Sequence, residues 1–229
     1  MSIPLVSIII PVLNDIDALR TTLPALQAYV DAGCELLVVD GGSSDGSDGL
    51  AAEFANVVPV SPPGRARQMN AGAAAASGEV LLFLHADTQL PPNARDILEQ
   101  LQQDAVQWGF FPVLLDDKSW QFRVIEKFIS TRSRLTRIAT GDQALFLRQS
   151  LFQSCGGFAG IPLMEDVELC KRLRRQAPPL VLAKTPVVTA SRRWQQHGIV
   201  ATVLLMWRLR WLYWLGVNPR QLALQYRQG

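Results

Sequence analysis

The sequence predicts an α/β chain on a doubly wound, mostly parallel sheet, with helices on both faces and amphipathic helices at the C-terminus. Three observations predict it. Short, nearly continuous apolar runs rich in β-branched residues recur at Val6–Val12, Glu35–Asp40 and Val80–Leu84, the pattern of strands buried on both faces. Helix-like segments separate these runs, and strand–helix alternation implies parallel pairing through right-handed crossovers. At 229 residues, with 48% hydrophobic and 18% charged, the chain can also bury one sizeable core.

Each element follows in order. Val6–Val12 carries three consecutive isoleucines. Asp15–Val30 has helical spacing, interrupted at Pro24. After the second strand, Gly41–Gly49 is rich in Gly, Ser and Asp, which is loop chemistry, and Val57–Val60 reads as a short third strand. Pro62-Pro63-Gly64 breaks the chain before Arg65–Ser77, an alanine-rich helix whose small side chains permit close packing on a sheet. The fourth strand, Val80–Leu84, runs into His85-Ala86-Asp87. Pro91 and Pro92 suit the start of a helix that continues to Gln103. The second half is less regular. It gives a strand at Trp108–Leu115, a basic helix at Trp120–Arg137, strands at Ala144–Leu147, Val181–Ala183 and Val187–Ala190, and a helix at Glu165–Arg175. The chain divides into a domain over 1–195 and a helical appendage over 196–229.

Composition excludes several classes. A net charge of +2 does not describe a nucleic-acid-binding surface. Cys34, Cys155 and Cys170 are odd in number and widely spaced, so they imply neither a metal site nor a disulfide framework. A cytoplasmic location is expected, and the first five residues lack the features of a signal peptide. Gly198–Gly216 combines Trp207, Trp211, Tyr213 and Trp214 with Arg208 and Arg210. Central arginines argue against a membrane span. Two readings stand: an interfacial helix on the inner face of the plasma membrane, or a helix packed on the domain or against a second copy.

In open parallel sheets, ligands bind beyond the carboxyl ends of the strands. Three strand ends here are polar: Pro11 to Asp15, Asp40 to Ser47, and His85 to Thr88. A carboxylate such as Asp40 can accept hydrogen bonds from a ribose or base. Asp87 can hold Mg²⁺ or Mn²⁺, which favour a few carboxylates plus substrate phosphates. Arg65 and Arg67 stand at a helix start, where guanidinium groups suit phosphate or a base edge. Glu165 and Asp166 also open a helix, where the dipole favours ionised carboxylates that can take a proton from a hydroxyl. Each has a plainer reading: Asp40 and Asp45 as turn formers, Asp87 as a cap, the arginines as a solvated first turn, and the acidic pair as ordinary N-terminal enrichment. No dinucleotide fingerprint or P-loop is present.

Taken together, the segments resemble the family 2 glycosyltransferases of the GT-A fold. The similarity lies in Ser7–Asn14, Glu35–Ser47, Gly64-Arg65 through Asn70-Ala71-Gly72 to Glu79, His85-Ala86-Asp87 in place of the family's D-x-D metal motif, and Glu165-Asp166 at its acidic pair. More narrowly, Gly64–Asn70 with His85–Asp87 is similar to a bacterial subgroup called selenodomain-associated transferase 2. The resemblance implies a nucleotide-sugar donor, most simply a UDP-sugar, held by Pro11, Leu13, Asn14, Asp40, Arg65, Arg67, Asn70, His85, Ala86 and Asp87. It implies a divalent metal (Mn²⁺ or Mg²⁺) on Asp87, with His85 as second ligand. It makes Asp166 the general base and Glu165 the second candidate, and it implies inversion by direct displacement. Asp142 and Gly157 fall on the acceptor side, and a lipid-linked acceptor is compatible with the tryptophan-rich helix. The sequence departs from the pattern in two places. His85 replaces an acid, and Ser191-Arg192-Arg193-Trp194 lacks the leading Gln of the Q-x-x-R-W segment, though Arg192 and Arg193 suit phosphate. The alternative reading is an inactive nucleotide-binding scaffold on the same fold, supported only by His85.

Overall fold

The computed structural model describes residues 6–103, 105–182 and 184–228, apart from the side chains of 94, 95, 98, 102, 193, 227 and 228. The expectations that touch Met1–Leu5, Ala183 and the Arg193 side chain therefore lie outside the described residues.

Strand β1 (Val6–Val12) is the centre of the molecule. It pairs in parallel with β2 (Glu35–Asp40) on one side and with β4 (Val80–Phe83) on the other. β3 (Asn56–Pro59) continues the parallel set beyond β2. Past β4 the direction reverses. β8 (Leu145–Arg148) is antiparallel to both β4 and β6 (Trp108–Phe110), and β9 (Leu180–Val181) closes the edge alongside β6. The order is β3-β2-β1-β4-β8-β6-β9. A second sheet holds β5 (Thr88–Gln89), β10 (Val187–Thr189) and β7 (Val113–Leu115), with β10 in the middle.

The run of isoleucines in β1 serves two cores, because successive side chains of a strand point to opposite faces. Ile8 and Ile10 pack with Leu19 and Leu23 of α1 (Ile16–Ala25), Tyr29 of α2 (Gln27–Asp31), Ile97 of α5 (Ala94–Gln102) and Phe122 of α6 (Trp120–Thr136). Ile9 packs the other way, with Ala66, Met69 and Ala73 of α4 (Arg65–Ala75), Phe152 of α7 (Gln149–Ser154) and Leu169 and Leu173 of α8 (Glu165–Gln176). Small residues bring α4 onto the sheet as expected. A Cβ at Gly72 would overlap the Ile9 side chain and come within 2.8 Å of Val39 Cγ2.

Three expectations are corrected. The single strand expected over Trp108–Leu115 breaks at Phe111-Pro112, giving β6 to the large sheet and β7 to the small one. Pro112 has no N–H to give a ladder, and its carbonyl accepts from Val187 N–H at 2.9 Å. The loop expected to Gly49 shortens, because Ser47–Ala52 forms α3. The interrupted helix over Asp15–Val30 becomes α1 and α2, parted after Ala25.

The C-terminal segment is α9 (Arg192–His197), α10 (Ile199–Trp214) and α11 (Pro219–Gln228). Leu209 and Leu222, both fully buried, cluster with Met164 and Val167 at the start of α8. The C-terminal helices thereby pack against the residues that flank Glu165 and Asp166. No helix among the described residues is long and apolar enough to cross a membrane.

Candidate active site

The carboxyl ends of β1, β2 and β4 carry the loops of the site. Asn14 adopts a left-handed φ of 51°, a conformation that Asn tolerates better than most residues. Its N–H donates to Ser43 Oγ at 2.9 Å, and its side-chain oxygen accepts from Ser44 N–H at 2.8 Å. These bonds tie the two strand-end loops together. Asp40 is buried and accepts from the N–H groups of Gly42 (2.8 Å) and Ser43 (3.0 Å). Asp45 accepts from Ile16 N–H at 3.0 Å and from the amide and hydroxyl of Ser47. Both carboxylates thus accept hydrogen bonds within their own turns. Leu13 stands exposed beside them. A residue with no motif to mark it locks this corner: buried Gln68 of α4 donates to the carbonyls of Val12 (2.7 Å) and Val39 (2.9 Å).

Three candidates on or near α4 are engaged by the protein itself. Arg67 donates to the Pro62 carbonyl at 2.8 Å. Asn70 uses both ends of its amide on Phe158, donating to its carbonyl and accepting from its N–H, each at 2.9 Å. Gly157, just before Phe158, gives its carbonyl to Arg172 at 2.7 Å. These residues shape the wall of the site. Ala86 is likewise buried, and its carbonyl accepts from Thr22 Oγ1 at 2.6 Å.

The residues that do converge are Pro11, Arg65, His85, Gly141, Glu165 and Asp166, which line one narrow cleft. The acidic pair opens α8 directly after Met164, a non-glycine residue at φ 68°. Such a conformation persists only where surrounding packing enforces it, and Met164 is buried against Leu209 and Leu222. Asp166 accepts from Gly141 N–H (2.8 Å) and from Val167 N–H (2.6 Å). Burial raises its pKa, while these two amides, Arg210 and Arg65 act in the opposite direction. Glu165 is pushed up to about 7, first by burial and then by the charge of Asp166, with Arg65 opposing. His85 is half-buried; burial, then Arg65, pull its pKa well below the usual value, so it is neutral near pH 7. Its Nε2 is buried without a protein partner and lies against Gly141.

The turn at Gly141–Gln143 also brings in Asp142, whose Oδ1 is buried and unpartnered. Next to it is Arg132, drawn down to about 10 by burial and then by Arg210, while Asp142 and Asp166 pull it back up. Two arginines, Arg132 and Arg210, and two aspartates, Asp142 and Asp166, therefore form one interacting charge cluster beside the cleft. Spacing gave no sign of Arg132 or Arg210 in this role.

Asp87 opens onto a second cavity of about 290 Å³, lined also by Asp17, Thr21, Asp116 and Arg192. Arg192 makes a two-pronged ion pair with Asp15, both contacts 3.1 Å, and reaches within 3.7 Å of Asp87. Burial raises the Asp87 pKa and Asp15 adds to the rise, while Arg192 lowers it. Asp87 fits a hard cation: its carboxylate is part-exposed, and a second carboxylate, Asp15, faces the same guanidinium. No group of three or more His, Cys, Asp or Glu among the described residues can hold an ion unaided, so substrate phosphates would have to complete the shell. His85, the other expected ligand, has Nε2 turned to Gly141 and not to Asp87's cavity.

The chain matches the family model described as Glycosyl transferase family 2 over residues 7–162. It is 36% identical, over 106 residues, to an undecaprenyl-phosphate 4-deoxy-4-formamido-L-arabinose transferase of Aeromonas hydrophila, a match covering 40% of this chain and 31% of that protein. The chain spans 31% of the length of the curated relatives it matches first. Among solved structures it resembles a mannosyltransferase of Pyrobaculum calidifontis in complex with GDP-Man and Mn²⁺ (TM-score 0.63, 19% identity, 82% of this chain and 57% of that one). It also resembles S. aureus TarS in complex with UDP-GlcNAc (TM-score 0.64, 16% identity, 81% and 58%). At these identities the two structures bear on the fold.

Proposed function

Because the chain belongs to glycosyl transferase family 2, we propose that it moves a sugar from a nucleoside-diphosphate sugar to an acceptor hydroxyl, with inversion at the anomeric carbon. The observation that carries this reading is the convergence of Arg65, Glu165 and Asp166 on one cleft, with Asp87 and Arg192 at the neighbouring cavity. Pro11, Leu13, Asn14 and Asp40 line the nucleoside end. Arg65 and Arg192 face the diphosphate. A divalent cation on Asp87, when bound, neutralises charge on the departing diphosphate.

Asp166 accepts the hydroxyl proton as the acceptor oxygen bonds to the anomeric carbon. The bond from that carbon to the diphosphate oxygen breaks, and its electron pair leaves with the nucleoside diphosphate. The two amides on Asp166 fix its orientation and leave lone pairs for the acceptor. Glu165, with its pKa raised to about 7, is the second candidate base and is in part protonated near neutrality. Asp142 and Arg132 face the acceptor. The inactive-scaffold reading rests on His85 alone, and against it stand Glu165 and Asp166 at the cleft and Asp87 at the neighbouring cavity.

Calorimetry with UDP, GDP and dTDP, with and without Mn²⁺, tests the reading. Metal-dependent binding of one nucleotide, lost in Asp87→Ala, is the expected result. A folded protein that binds none of the three would end the proposal.

A further inference from the structure

We infer that α6 and α10 together form a docking face for an anionic lipid bilayer, which delivers the acceptor to the Asp166 cleft. The substrate part of this rests on the reading of Asp166 as base; the docking does not.

The two helices are far apart in sequence but present one apolar surface. On α6, Trp120, Val124 and Phe128 recur every four residues and are each at least 48% exposed. On α10, Trp207, Trp211 and Trp214, spaced by four and then three residues, are each at least 52% exposed, at the spacing of one helix face. The surfaces meet where the rings of Phe128 and Trp207 stack at 5.4 Å, and Trp211 and Trp214 pair at 5.3 Å. Large contiguous apolar patches on a protein surface mark an interaction site.

Charge selects the occupant. Residues 169–229 contain half of the chain's 22 Lys and Arg and none of its 20 Asp and Glu. The one acid on α6, Glu126, is buried and paired with Arg123 at 2.9 Å. Lys127, Arg134 and Arg208 are exposed on the same two helices. Tryptophans on two helices that carry exposed cations and no exposed carboxylate suit the headgroup region of an anionic leaflet, with Asp116 and Asp117 lying just before α6. With 16 residues and two arginines, α10 lies along such a surface and does not cross it.

The inward side of α10 points at the chemistry. Leu209 is fully buried with Met164 and Val167, which flank the acidic pair, and the charge of Arg210 reaches both Asp166 and Arg132. One helix thus carries the bilayer face on its outside and a cation of the charge cluster beside the cleft on its inside.

Flotation of the full chain with phosphatidylcholine vesicles, with and without phosphatidylglycerol, tests this, alongside Trp207→Ser/Trp211→Ser. The wild type should bind only the anionic vesicles, less so as salt rises, and should be quenched by brominated acyl chains. The double variant should bind about 10-fold more weakly. Its melting temperature and nucleotide affinity should stay at wild-type values, which separates this proposal from that of the donor site. No binding to anionic vesicles, or a wild-type dimer in sedimentation that the double variant turns into a monomer, overturns the proposal.

Discussion

Gly141 and His85 are packed so closely that a methyl group on the glycine would overlap the imidazole Nε2. Gly141 also gives its N–H to Asp166 at 2.8 Å. One backbone position therefore sets both the ring at the end of β4 and the proposed base. Gly141→Ala must displace one of them. Overpacking of this kind costs about 1–3 kcal/mol of stability, and misplacing the base should lower kcat/KM by more than about 10-fold. Thermal melts beside initial rates measure the two effects; an alanine variant with wild-type rates would show that the contact has no catalytic consequence.

Asn70 distinguishes a wall from a ligand. Asn70→Ala strips partners from the amide and carbonyl of Phe158, and part-buried backbone groups left unpaired cost about 1–3 kcal/mol. A lower melting temperature with unchanged nucleotide affinity is expected. Nucleotide binding lost at full stability would return Asn70 to the donor pocket.

Glu165 gives stability a pH dependence. Its folded-state pKa is raised from 4.5 to about 7. Between those values the folded chain holds more protons than the unfolded chain, so stability falls as pH rises through that window. Below it both states are protonated and the penalty is absent. Glu165→Gln should flatten the decline in melting temperature over that range. Asp166→Asn should shift the decline to lower pH, because the charge of Asp166 raises Glu165. A profile identical in all three proteins would contradict the assignment.

Arg192→Ala removes a cation from both Asp15 and Asp87. If the guanidinium turns to the diphosphate, KM for the donor should rise about 10-fold, near 1.4 kcal/mol, with a smaller change in kcat. Steady-state kinetics at varied donor read this directly; an unchanged KM would leave Arg192 a purely structural ion pair.

The large sheet was legible because Val6–Val12, Glu35–Asp40 and Val80–Phe83 are buried on both faces and so read as unbroken apolar runs. α4 and α8 were legible from alanine content and from an acidic start with a basic end. Of the small sheet, β10 was expected within Val187–Ala190, but β5, only two residues long, has no period to detect, and β7 continues the apolar run of β6. The site divided in the same way. Arg65, Asp87, Glu165 and Asp166 sit at element ends that motifs mark. Gln68 and Arg132 act from mid-helix positions, and Arg192 meets Asp15 across 177 residues of chain. No local pattern can announce contacts of that separation.

Arg192 has a consequence for the order of assembly. Two facing carboxylates, Asp15 and Asp87, would repel one another in a newly folded chain. With a guanidinium already between them, that part of the protein closes with its charge balanced from within. Folding is then independent of ion supply, and loading the donor becomes an exchange of one positive partner for another. A chelator should leave the melting temperature unchanged, whatever it does to the chemistry.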